Sequence, residues 1–458
     1  MNDPRAALAP GLIVAAPASG SGKTTLTLGL IAALTRAGYR ANSFKVGPDY
    51  IDPAFHEAAS GRPCPNLDPW AMRGATLDAL MAELRTDSDI VIGEGVMGLY
   101  DGAPDSTGST ADLAARYALP IILVIDASRQ GASVAALAEG FTRHRADVTI
   151  AGVLLNRIGS ASHEATLRRA LNATGIAVLG AVPRDEALAL PSRHLGLVQA
   201  REHAALSDFI ARAAETVARR VDLAALKRVA TRPLTPSPLE GEGKGGGYQA
   251  RGSLEPSLCA IPPLGRRIAV ARDDAFAFVY PHVLNGWRRA GAEITFFSPL
   301  DDEPPSLDCD AVYLPGGYPE LHAGRLAAAT RFISGLRDTA KRGVAIYGEC
   351  GGYMTLGQGL IDAEGARHAM ASLLPLETSF AKRKLHLGYR AVALAANGPL
   401  GARGTHFKGH EFHYATIMRE DGGAALFEAR DATGTSLGLI GRRTGAVSGS
   451  FVHLIDGG

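Results

Sequence analysis

Residues 11–25 read GLIVAAPASGSGKTT, and this stretch decides the fold of the first half of the chain. It joins an apolar run, a turn rich in glycine and serine, and the start of a helical pattern. Such a strand–turn–helix unit lets backbone N–H groups and the positive end of the helix dipole face a phosphate. In that geometry the lysine reaches the β- and γ-phosphates and the next threonine holds Mg²⁺. The strict pattern begins with glycine or alanine, where this chain has Pro17.

The predicted phosphate loop supplies most of the expected nucleotide contacts. An ordinary glycine–serine turn is the alternative, but both flanking elements match the motif. Asn156 ends a later predicted strand, where its amide is able to read an adenine edge or simply to end the strand as a turn residue. The predicted nucleotide-binding residues are Ser19, Gly20, Ser21, Gly22, Lys23, Thr24, Thr25 and Asn156.

Length and composition limit the classes of protein that fit. With 458 residues the chain is too long for one ordinary core, so two domains are expected. The net charge of +1 gives no general attraction to nucleic acid or to an anionic membrane. The sequence shows no membrane span and no secretory signal, and its four cysteines are too scattered for a disulfide framework. These features predict a cytoplasmic protein that binds neither nucleic acid nor membrane.

Residues 231–263 are rich in proline, glycine, serine and glutamate and contain few apolar residues to bury, so we expect a flexible linker there. The predicted domains are residues 1–230 and 264–458. Both alternate short apolar runs with helical patterns, which is typical of parallel sheets with crossover helices. The sequence therefore predicts an α/β protein with two parallel-sheet domains and strands at 12–16, 41–46, 90–93, 121–126, 151–155, 177–182, 267–271, 293–297, 311–314, 344–347 and 446–452.

Acidic residues follow two predicted strands of the first domain. Asp49 and Asp52 come after one strand, and Glu94 ends another. Ligands gather at the carboxyl ends of parallel strands. Mg²⁺ prefers hard oxygen ligands and needs only one or two carboxylates besides a hydroxyl. The pattern favours Thr24, Asp49, Asp52 and Glu94 as metal ligands, although two aspartates beside prolines also fit a simple turn.

The second domain carries GECGG at residues 348–352, between a predicted strand and a helical stretch. This matches a nucleophile elbow with cysteine in place of serine. A helix N-terminus is expected to lower the pKa of the Cys350 thiol and make a thiolate accessible. Gly316 and Gly317 follow a neighbouring strand and are candidates for an oxyanion hole. His453, at the end of the last strand, is the predicted base, and a buried core thiol is the alternative for the cysteine.

Histidines and cations gather between residues 382 and 413. A metal site is one interpretation of His386, His406, His410, Glu411 and His413, although the spacing lacks a helical pair of ligands. The other interpretation joins the histidines to nearby cations that receive a polyanionic substrate, and a solvated basic loop fits the spacing equally well. The predicted substrate contacts in this segment are Lys382, Arg383 and His386, and the remaining cations are Lys384 and Arg390.

Together these motifs resemble those of the cobyrinate and hydrogenobyrinate a,c-diamide synthases of corrin biosynthesis. The resemblance covers nearly the whole chain outside the linker and the extreme N-terminus, and the Pro17 variation is shared with dethiobiotin-synthetase-like loops. The family joins a dethiobiotin-synthetase-like phosphate-loop domain to a class I glutamine amidotransferase-like domain, in the order expected here. The motifs that carry the resemblance are residues 15–25, 45–53, 66–70, 94–102, 348–352 and 449–453.

The resemblance implies a ligase that uses ATP, Mg²⁺ and L-glutamine. Glutamine would be hydrolysed at Cys350 through a thioester. ATP would activate the a and c acetate carboxylates of a corrinoid polycarboxylate as acyl phosphates, which ammonia converts to amides. Asp49, Asp52 and Glu94 would serve the metal and phosphoryl transfer, and Asp101 would lie near the substrate acid.

One departure concerns the catalytic acid of the second domain. Many class I glutaminases carry glutamate two residues after the catalytic histidine, where this chain has Ile455. The corrin subgroup also lacks that acid, so the resemblance implies a dyad of Cys350 and His453 without a third member.

Other functions remain as alternatives. A partition-type regulatory ATPase uses an extra lysine inside the phosphate loop, where this chain has Ala18. A pseudo-glutaminase scaffold fits poorly with an intact cysteine and histidine. Cobyric acid synthase and nickel-sirohydrochlorin a,c-diamide synthase share the architecture. The sequence favours cobalt-free hydrogenobyrinate only slightly over cobyrinate, and it does not fix the oligomeric state, for which a homodimer is one arrangement.

Overall fold

The computed structural model describes residues 9–189, 192–193, 196–197, 199–202, 205–231 and 261–458. The predicted linker, 231–263, lies outside the described residues except at its two ends. The described chain forms two compact units. The second unit contains Ala71–Thr76, Ala103–Asp105 and the residues from 261 onward, and the first contains the rest.

The first unit is built on a sheet of seven parallel strands. Their spatial order is β3-β2-β4-β1-β5-β6-β7. The central strands β1, β4 and β5 are almost entirely buried and largely apolar, as strands covered on both faces by helices must be. In chain order the strands are β1 (Gly11–Ala15), β2 (Ala41–Val46), β3 (Asn66–Leu67), β4 (Ile90–Glu94), β5 (Ile121–Asp126), β6 (Ile150–Ile158) and β7 (Val178–Pro183).

Helices connect these strands. Gly29 allows the helix at Lys23–Arg36 to pack closely against the helix at Leu206–Arg220, because a Cβ atom added at Gly29 would lie 2.6 Å from Val217 Cγ2. The α-helices in this part of the chain are α1 (Lys23–Arg36), α2 (Asp52–Ser60), α3 (Gly74–Arg85), α4 (Thr110–Tyr117), α5 (Val134–His144), α6 (Ala161–Asn172), α7 (Leu206–Arg220) and α8 (Leu223–Thr231). The smaller elements are a strand pair, β8 (Ser192–Arg193) and β9 (Gly196–Leu197), and two 3₁₀ turns, Glu186–Leu188 and Ala200–Glu202.

The second unit contains a larger, mixed sheet of ten strands in the order β11-β10-β12-β13-β22-β21-β20-β17-β18-β23. The first five strands in this order run parallel, and the others continue the sheet with antiparallel pairings. The strands are β10 (Arg267–Ala271), β11 (Glu293–Phe297), β12 (Ala311–Leu314), β13 (Ala345–Glu349), β17 (His386–Leu394), β18 (His406–His413), β20 (Ala424–Asp431), β21 (Ser436–Thr444), β22 (Val447–Ser450) and β23 (Val452–Gly457).

Further elements cover the parallel part of this sheet. A core of apolar side chains, including Phe332, Leu336 and Tyr353, joins the helices to it. A separate sheet of four strands has the order β15-β14-β16-β19, from β14 (Gly359–Ile361), β15 (Arg367–Ala369), β16 (Glu377–Ser379) and β19 (Thr416–Arg419). The helices are α9 (Pro281–Arg289), α10 (Ala323–Ala328), α11 (Thr330–Lys341) and α12 (Gly351–Leu356), with 3₁₀ turns at Pro299–Asp301 and Pro319–Leu321.

The predicted α/β class and the parallel strands of both halves are confirmed. The predicted last strand, 446–452, is divided into β22 and β23, because the chain leaves the parallel part after Ser450 and pairs antiparallel with β18. The antiparallel strands from residue 386 onward were not part of the prediction. Their half-exposed, alternating residues carry a weaker pattern than the apolar runs of buried parallel strands.

Candidate functional sites

The phosphate loop follows β1 and ends where α1 begins at Lys23. Gly20 and Gly22 have φ angles of 79° and 85°, a left-handed conformation that glycine adopts without strain. Gly22 also touches Asn156, because an added Cβ atom would lie 2.2 Å from Asn156 Nδ2. That amide nitrogen donates to the Ser21 carbonyl at 2.9 Å. Asn156 thus braces the loop, and its predicted contact with adenine stays a prediction.

The Lys23 side chain is buried and donates from Nζ to the Met97 carbonyl. Burial, together with the charge of Lys45, lowers the pKa of Lys23 to about 8. The loop that holds Met97 is closed by Asp101, whose Oδ2 accepts the Gly98 N–H at 2.7 Å. Asp101, which is predicted to contact the substrate, therefore also stabilises this loop. Its side chain remains exposed, so the bond to Gly98 does not prevent contact with a substrate.

Oxygen atoms from three elements meet at the start of α1. The Thr24 hydroxyl lies 2.7 Å from Glu94 Oε1 and 3.3 Å from Asp52 Oδ2. Glu94 ends β4, and Asp52 begins α2 beyond the carboxyl end of β2. The parallel order β2-β4-β1 brings these ends to one edge of the sheet. A hydroxyl and two carboxylates are the hard donors that Mg²⁺ prefers, so this cluster fits the ion.

A buried ammonium group neutralises the same carboxylates. Lys45 Nζ lies 2.5 Å from Asp52 Oδ2, 2.9 Å from Glu94 Oε1 and 3.7 Å from Asp49 Oδ2. Burial acts to lower the pKa of Lys45, but the acids outweigh burial and raise it well above its ordinary value. The ammonium group of Lys45 therefore already compensates part of the negative charge of these acids. Lys45 belongs to the motif at residues 45–53, but no role was predicted for it.

His56 completes the cluster from α2. Its Nε2–H donates to Glu94 Oε2 at 2.7 Å, and both side chains are fully buried. Burial acts to lower the pKa of His56, but Cys64 and Glu94 raise it to about 10. Burial acts to raise the pKa of Glu94, and Lys45 and His56 together hold it well below its usual range. The carboxylate of Glu94 is therefore ionised at neutral pH. His56 was also missed, because nothing in its local sequence marks it.

The two candidate aspartates differ in their surroundings. Asp49 Oδ1 accepts the backbone N–H groups of Ile51 and Asp52 at 2.9 and 3.0 Å, as a turn former does. The Asp52 carboxylate instead faces Thr24 and Lys45. Burial and the neighbouring Asp49 raise the pKa of Asp52 to about 7. The geometry thus favours Asp52 over Asp49 as a partner for a cation beside Thr24.

The second candidate site surrounds Cys350, between β13 and α12. Cys350 has φ 47° and ψ −103°, a strained conformation that a nucleophile elbow requires. Gly352 lets the elbow pack, because an added Cβ atom would lie 1.9 Å from the Leu314 carbonyl oxygen. The Cys350 N–H donates to the Ser450 carbonyl at 2.8 Å. These contacts fix the thiol beside the chain segment that leads to His453.

The imidazole of His453 lies against the glycine loop after β12. A Cβ atom added at Gly316 would be 2.3 Å from His453 Cε1, so only glycine fits there. Gly317 lies beside the elbow, because a Cβ atom added at Gly351 would be 3.1 Å from the Gly317 nitrogen. The structure therefore brings Gly316, Gly317, Cys350 and His453 together. Their assignment as oxyanion hole, nucleophile and base remains a prediction.

The protonation state of the thiol differs from the sequence-based expectation. Burial, with the charge of Glu320, raises the pKa of Cys350, although the Gly351 N–H opposes the shift. The expectation that the short helix would lower this pKa is wrong, because desolvation outweighs one turn of helix. Burial, with His410 and His413, lowers the pKa of His453 to about 3. The site thus combines a neutral thiol with a neutral imidazole.

The carboxylate of Glu349, at the end of β13, lies near the imidazole of His453. Glu349 Oε2 lies 3.8 Å from His453 Nδ1. This carboxylate also accepts the Tyr313 hydroxyl at 2.8 Å and the Leu454 N–H at 3.1 Å. Burial raises its pKa, and the neighbouring Tyr347 hydroxyl helps to lower it. Glu349 was not predicted as a partner of His453, because the acid of class I glutaminases is expected two residues after the histidine, where this chain has Ile455.

The histidine-rich segment is only partly free to bind a ligand. Three residues of this segment offer ligand atoms within 4.8 Å of one another, namely His386, Glu411 and His413, and this spacing is compatible with a metal site. Glu411, however, is paired with Arg390 at 2.7 Å and with His413 at 3.0 Å, so its charge is already compensated. Because its guanidinium is already paired with Glu411, Arg390 is less available to bind an anionic substrate. Lys382, Arg383 and Lys384 are exposed, and their role as substrate contacts stays a prediction.

The fold and these two sites define a glutamine-dependent amidating ligase. Residues 12–198 match the CobQ/CobB/MinD/ParA nucleotide binding domain, and residues 267–457 match the CobB/CobQ-like glutamine amidotransferase domain. The chain belongs to the family of the hydrogenobyrinate a,c-diamide synthases, which confirms the resemblance read from its motifs.

Three relatives carry this assignment, and each is named hydrogenobyrinate a,c-diamide synthase. The relative from Brucella anthropi is 55% identical over 97% of this chain and 98% of its own length. The one from Sinorhizobium sp is 53% identical over 97% of this chain and 98% of its own. The one from Rhodobacter capsulatus is 52% identical over 98% and 99%. Among the described residues, no helix is both long and apolar enough to cross a membrane.

Proposed function

We propose that this protein converts the a and c acetate carboxylates of hydrogenobyrinate to amides, with ATP, Mg²⁺ and L-glutamine. The observation that carries the proposal is the pairing, in one chain, of the Thr24–Asp52–Glu94 oxygen cluster beside a phosphate loop with a cysteine elbow beside His453. The first site suits phosphoryl transfer, and the second suits release of ammonia from an amide. The names of the relatives supply the identity of the acceptor.

In the nucleotide site, Lys23 and the loop N–H groups bind the phosphates of ATP. Thr24, Asp52 and Glu94 are the residues that hold Mg²⁺, which offsets the charge of the phosphates when bound. Lys45 and His56 keep Glu94 ionised and oriented, and Lys45 also pairs with Asp52. A carboxylate oxygen of the substrate attacks the γ-phosphorus, ADP leaves, and an acyl phosphate forms. Ammonia then attacks the acyl carbon, inorganic phosphate leaves, and the amide remains.

In the glutaminase site, the Cys350 thiol transfers its proton to His453 as sulfur attacks the amide carbon of glutamine. Backbone N–H groups near Gly316, Gly317 and Gly351 stabilise the negative oxygen. His453 gives the proton to the departing nitrogen, so ammonia leaves and a thioester remains. Water, deprotonated by the same imidazole, then attacks the thioester and releases glutamate, and the thiol regains its proton.

Mass spectrometry of the products tests this function. Parallel reactions contain hydrogenobyrinate, cobyrinate or the a,c-diamide, each with ATP, Mg²⁺ and glutamine. We expect two amidations of hydrogenobyrinate and none of the a,c-diamide. Further amidation of the a,c-diamide would instead indicate the cobyric acid synthase reaction. Comparison of kcat/KM for hydrogenobyrinate and cobyrinate decides which macrocycle is preferred. Sedimentation of the purified chain tests the homodimer, for which the sequence offers no evidence.

A further inference from the structure

The carboxylate of Glu349 faces the catalytic imidazole from within the core of the second unit. Glu349 Oε2 and His453 Nδ1 are 3.8 Å apart, and both side chains are buried. A carboxylate in such surroundings costs free energy unless hydrogen bonds and nearby groups compensate it. The surroundings of Glu349 provide part of that compensation, and they also fix the direction of the carboxylate.

Two hydrogen bonds hold the carboxylate in place. Oε1 accepts the N–H of Leu454, the residue after His453, at 3.1 Å. Oε2 accepts the hydroxyl of Tyr313, from β12, at 2.8 Å. Glu349 is thus tied to the backbone of the strand that carries the imidazole, with Oε2 3.8 Å from Nδ1.

Residue 455, two positions after His453, cannot supply an acid to the imidazole. Ile455 is buried and apolar, and its carbonyl accepts His282 Nε2 at 2.7 Å. The acid near the imidazole therefore comes from a different strand, from the residue that directly precedes the nucleophile. The sheet makes this possible because β13 pairs with β22, which places Glu349 opposite Ser450 just before the chain turns into β23.

We propose that Glu349 is a positioning residue of the glutaminase site, whose carboxylate accepts the Nδ1–H of His453, so that Nε2 is the unprotonated nitrogen that takes the Cys350 proton. The inference rests on the proposed function. A neutral imidazole has two tautomers, and only the one with hydrogen on Nδ1 offers Nε2 as a base. The proposal requires the 3.8 Å separation between Glu349 Oε2 and His453 Nδ1 to shorten when substrate binds, as catalytic hydrogen bonds commonly do.

The same carboxylate stabilises the imidazolium that forms during proton transfer. His410 and His413 on β18 oppose a positive charge on His453, and Glu411 on that strand favours it. Glu411 is already paired with Arg390. Glu349 therefore adds negative charge on the Nδ1 side, where the new imidazolium needs it.

Replacement of the acid by its amide tests the proposal with little change in shape. In Glu349→Gln, the amide oxygen still accepts the Leu454 N–H, and the amide nitrogen donates to the Tyr313 oxygen. The amide also presents N–H to His453 Nδ1, which favours the opposite tautomer. We expect kcat for glutamine hydrolysis to fall about 100-fold or more, with a much smaller change in KM. Ammonia-dependent amidation should persist, and exposed Glu428→Gln serves as the matched control.

Two readouts separate positioning from a purely structural role. The ¹⁵N chemical shifts of His453 should show hydrogen on Nδ1 in the wild-type enzyme and on Nε2 in Glu349→Gln. The rise of the wild-type glutaminase rate with pH, as Glu349 ionises, should vanish in the variant. A wild-type Nε2–H tautomer overturns the proposal even if the variant does not fold, and so does an unchanged kcat in a folded variant. Full glutaminase activity in His453→Ala would also overturn the proposal, because another group would then activate the thiol. If the wild-type enzyme releases no glutamate from glutamine, the proposed function fails instead.

Discussion

The hydroxyl of Thr24 lies 2.7 Å from Glu94 Oε1, although the two residues are 70 positions apart in the chain. This contact joins the phosphate loop after β1 to the carboxyl end of β4. It exists because the two strands are direct neighbours in a parallel sheet and end at the same edge. The order of the strands in the sheet thus brings the residues of the nucleotide site together.

Glu94→Gln should weaken the dependence on Mg²⁺. An amide oxygen is a poorer ligand than a carboxylate, so we expect the Mg²⁺ concentration for half-maximal ADP release to rise about tenfold or more. Asp52→Asn should act in the same direction. Titration of ADP release with Mg²⁺ measures both effects.

Asp49→Asn is the comparison that separates the two aspartates. Its side-chain oxygen is able to keep the bonds to the Ile51 and Asp52 N–H groups. We therefore expect a smaller change in Mg²⁺ dependence than in Asp52→Asn. The reverse order would assign the metal to Asp49.

Lys23→Ala should abolish amidation with either glutamine or ammonia, because phosphoryl transfer depends on fixed positive charge around the migrating group. We expect kcat for ADP release to fall about 100-fold or more. Glutamine hydrolysis at Cys350 should survive at least in part, and it serves as the internal control for folding. Retention of ammonia-dependent amidation would remove Lys23 from the phosphoryl-transfer site.

Cys350→Ser should abolish glutamine-dependent amidation and spare amidation with ammonia. The hydroxyl of serine is a much weaker nucleophile than the thiol at neutral pH. Cys309→Ser provides a matched control, since Cys309 is also a buried cysteine of the second unit. Product formation with each nitrogen source gives the measurement. Equal loss of both activities in a folded protein would contradict the assignment of separate tasks to the two domains.

His453→Ala should also lose glutamine-dependent amidation while it keeps amidation with ammonia. Burial keeps the Cys350 thiol protonated, so attack needs a base to remove its proton. The rate of glutamate release should fall by about 100-fold or more. A wild-type rate would show that another group activates the thiol.

Glu349→Gln should change how stability depends on pH. Burial raises the pKa of Glu349 from 4.5 to about 7, so the folded state holds this proton more tightly than the unfolded state. The stabilising contribution is therefore complete below pH 4.5 and is lost as pH rises through about 7. This loss is at most about 3 kcal/mol and is absent in the variant.

Thermal unfolding at pH 5 and pH 8 measures this effect. The difference in Tm between the variant and the wild type should shift in favour of the variant at the higher pH. A difference that does not change with pH would show that Glu349 has no raised pKa in the folded protein.

Local sequence was enough to predict the phosphate loop, the elbow and the parallel strands. Each depends on local features: glycines at positive φ or at close backbone contacts, and apolar runs that only a buried strand accommodates. Residues 11–25 and 348–352 carry these features within short windows, so their chemistry was predictable from residue types in order. The family also followed from the motifs.

Tertiary structure alone decided which side chains meet. Lys45 and His56 join Glu94 only because β2 and β4 end, and α2 begins, at one edge of the first sheet. Glu349 reaches His453 only because the chain turns from β22 into β23 beside β13. The pKa of Cys350 is raised rather than lowered because desolvation depends on all surrounding residues, whereas the helix that follows contributes a single turn. Local sequence specifies backbone conformation, but burial and the distances between charges arise from strands far apart in the chain.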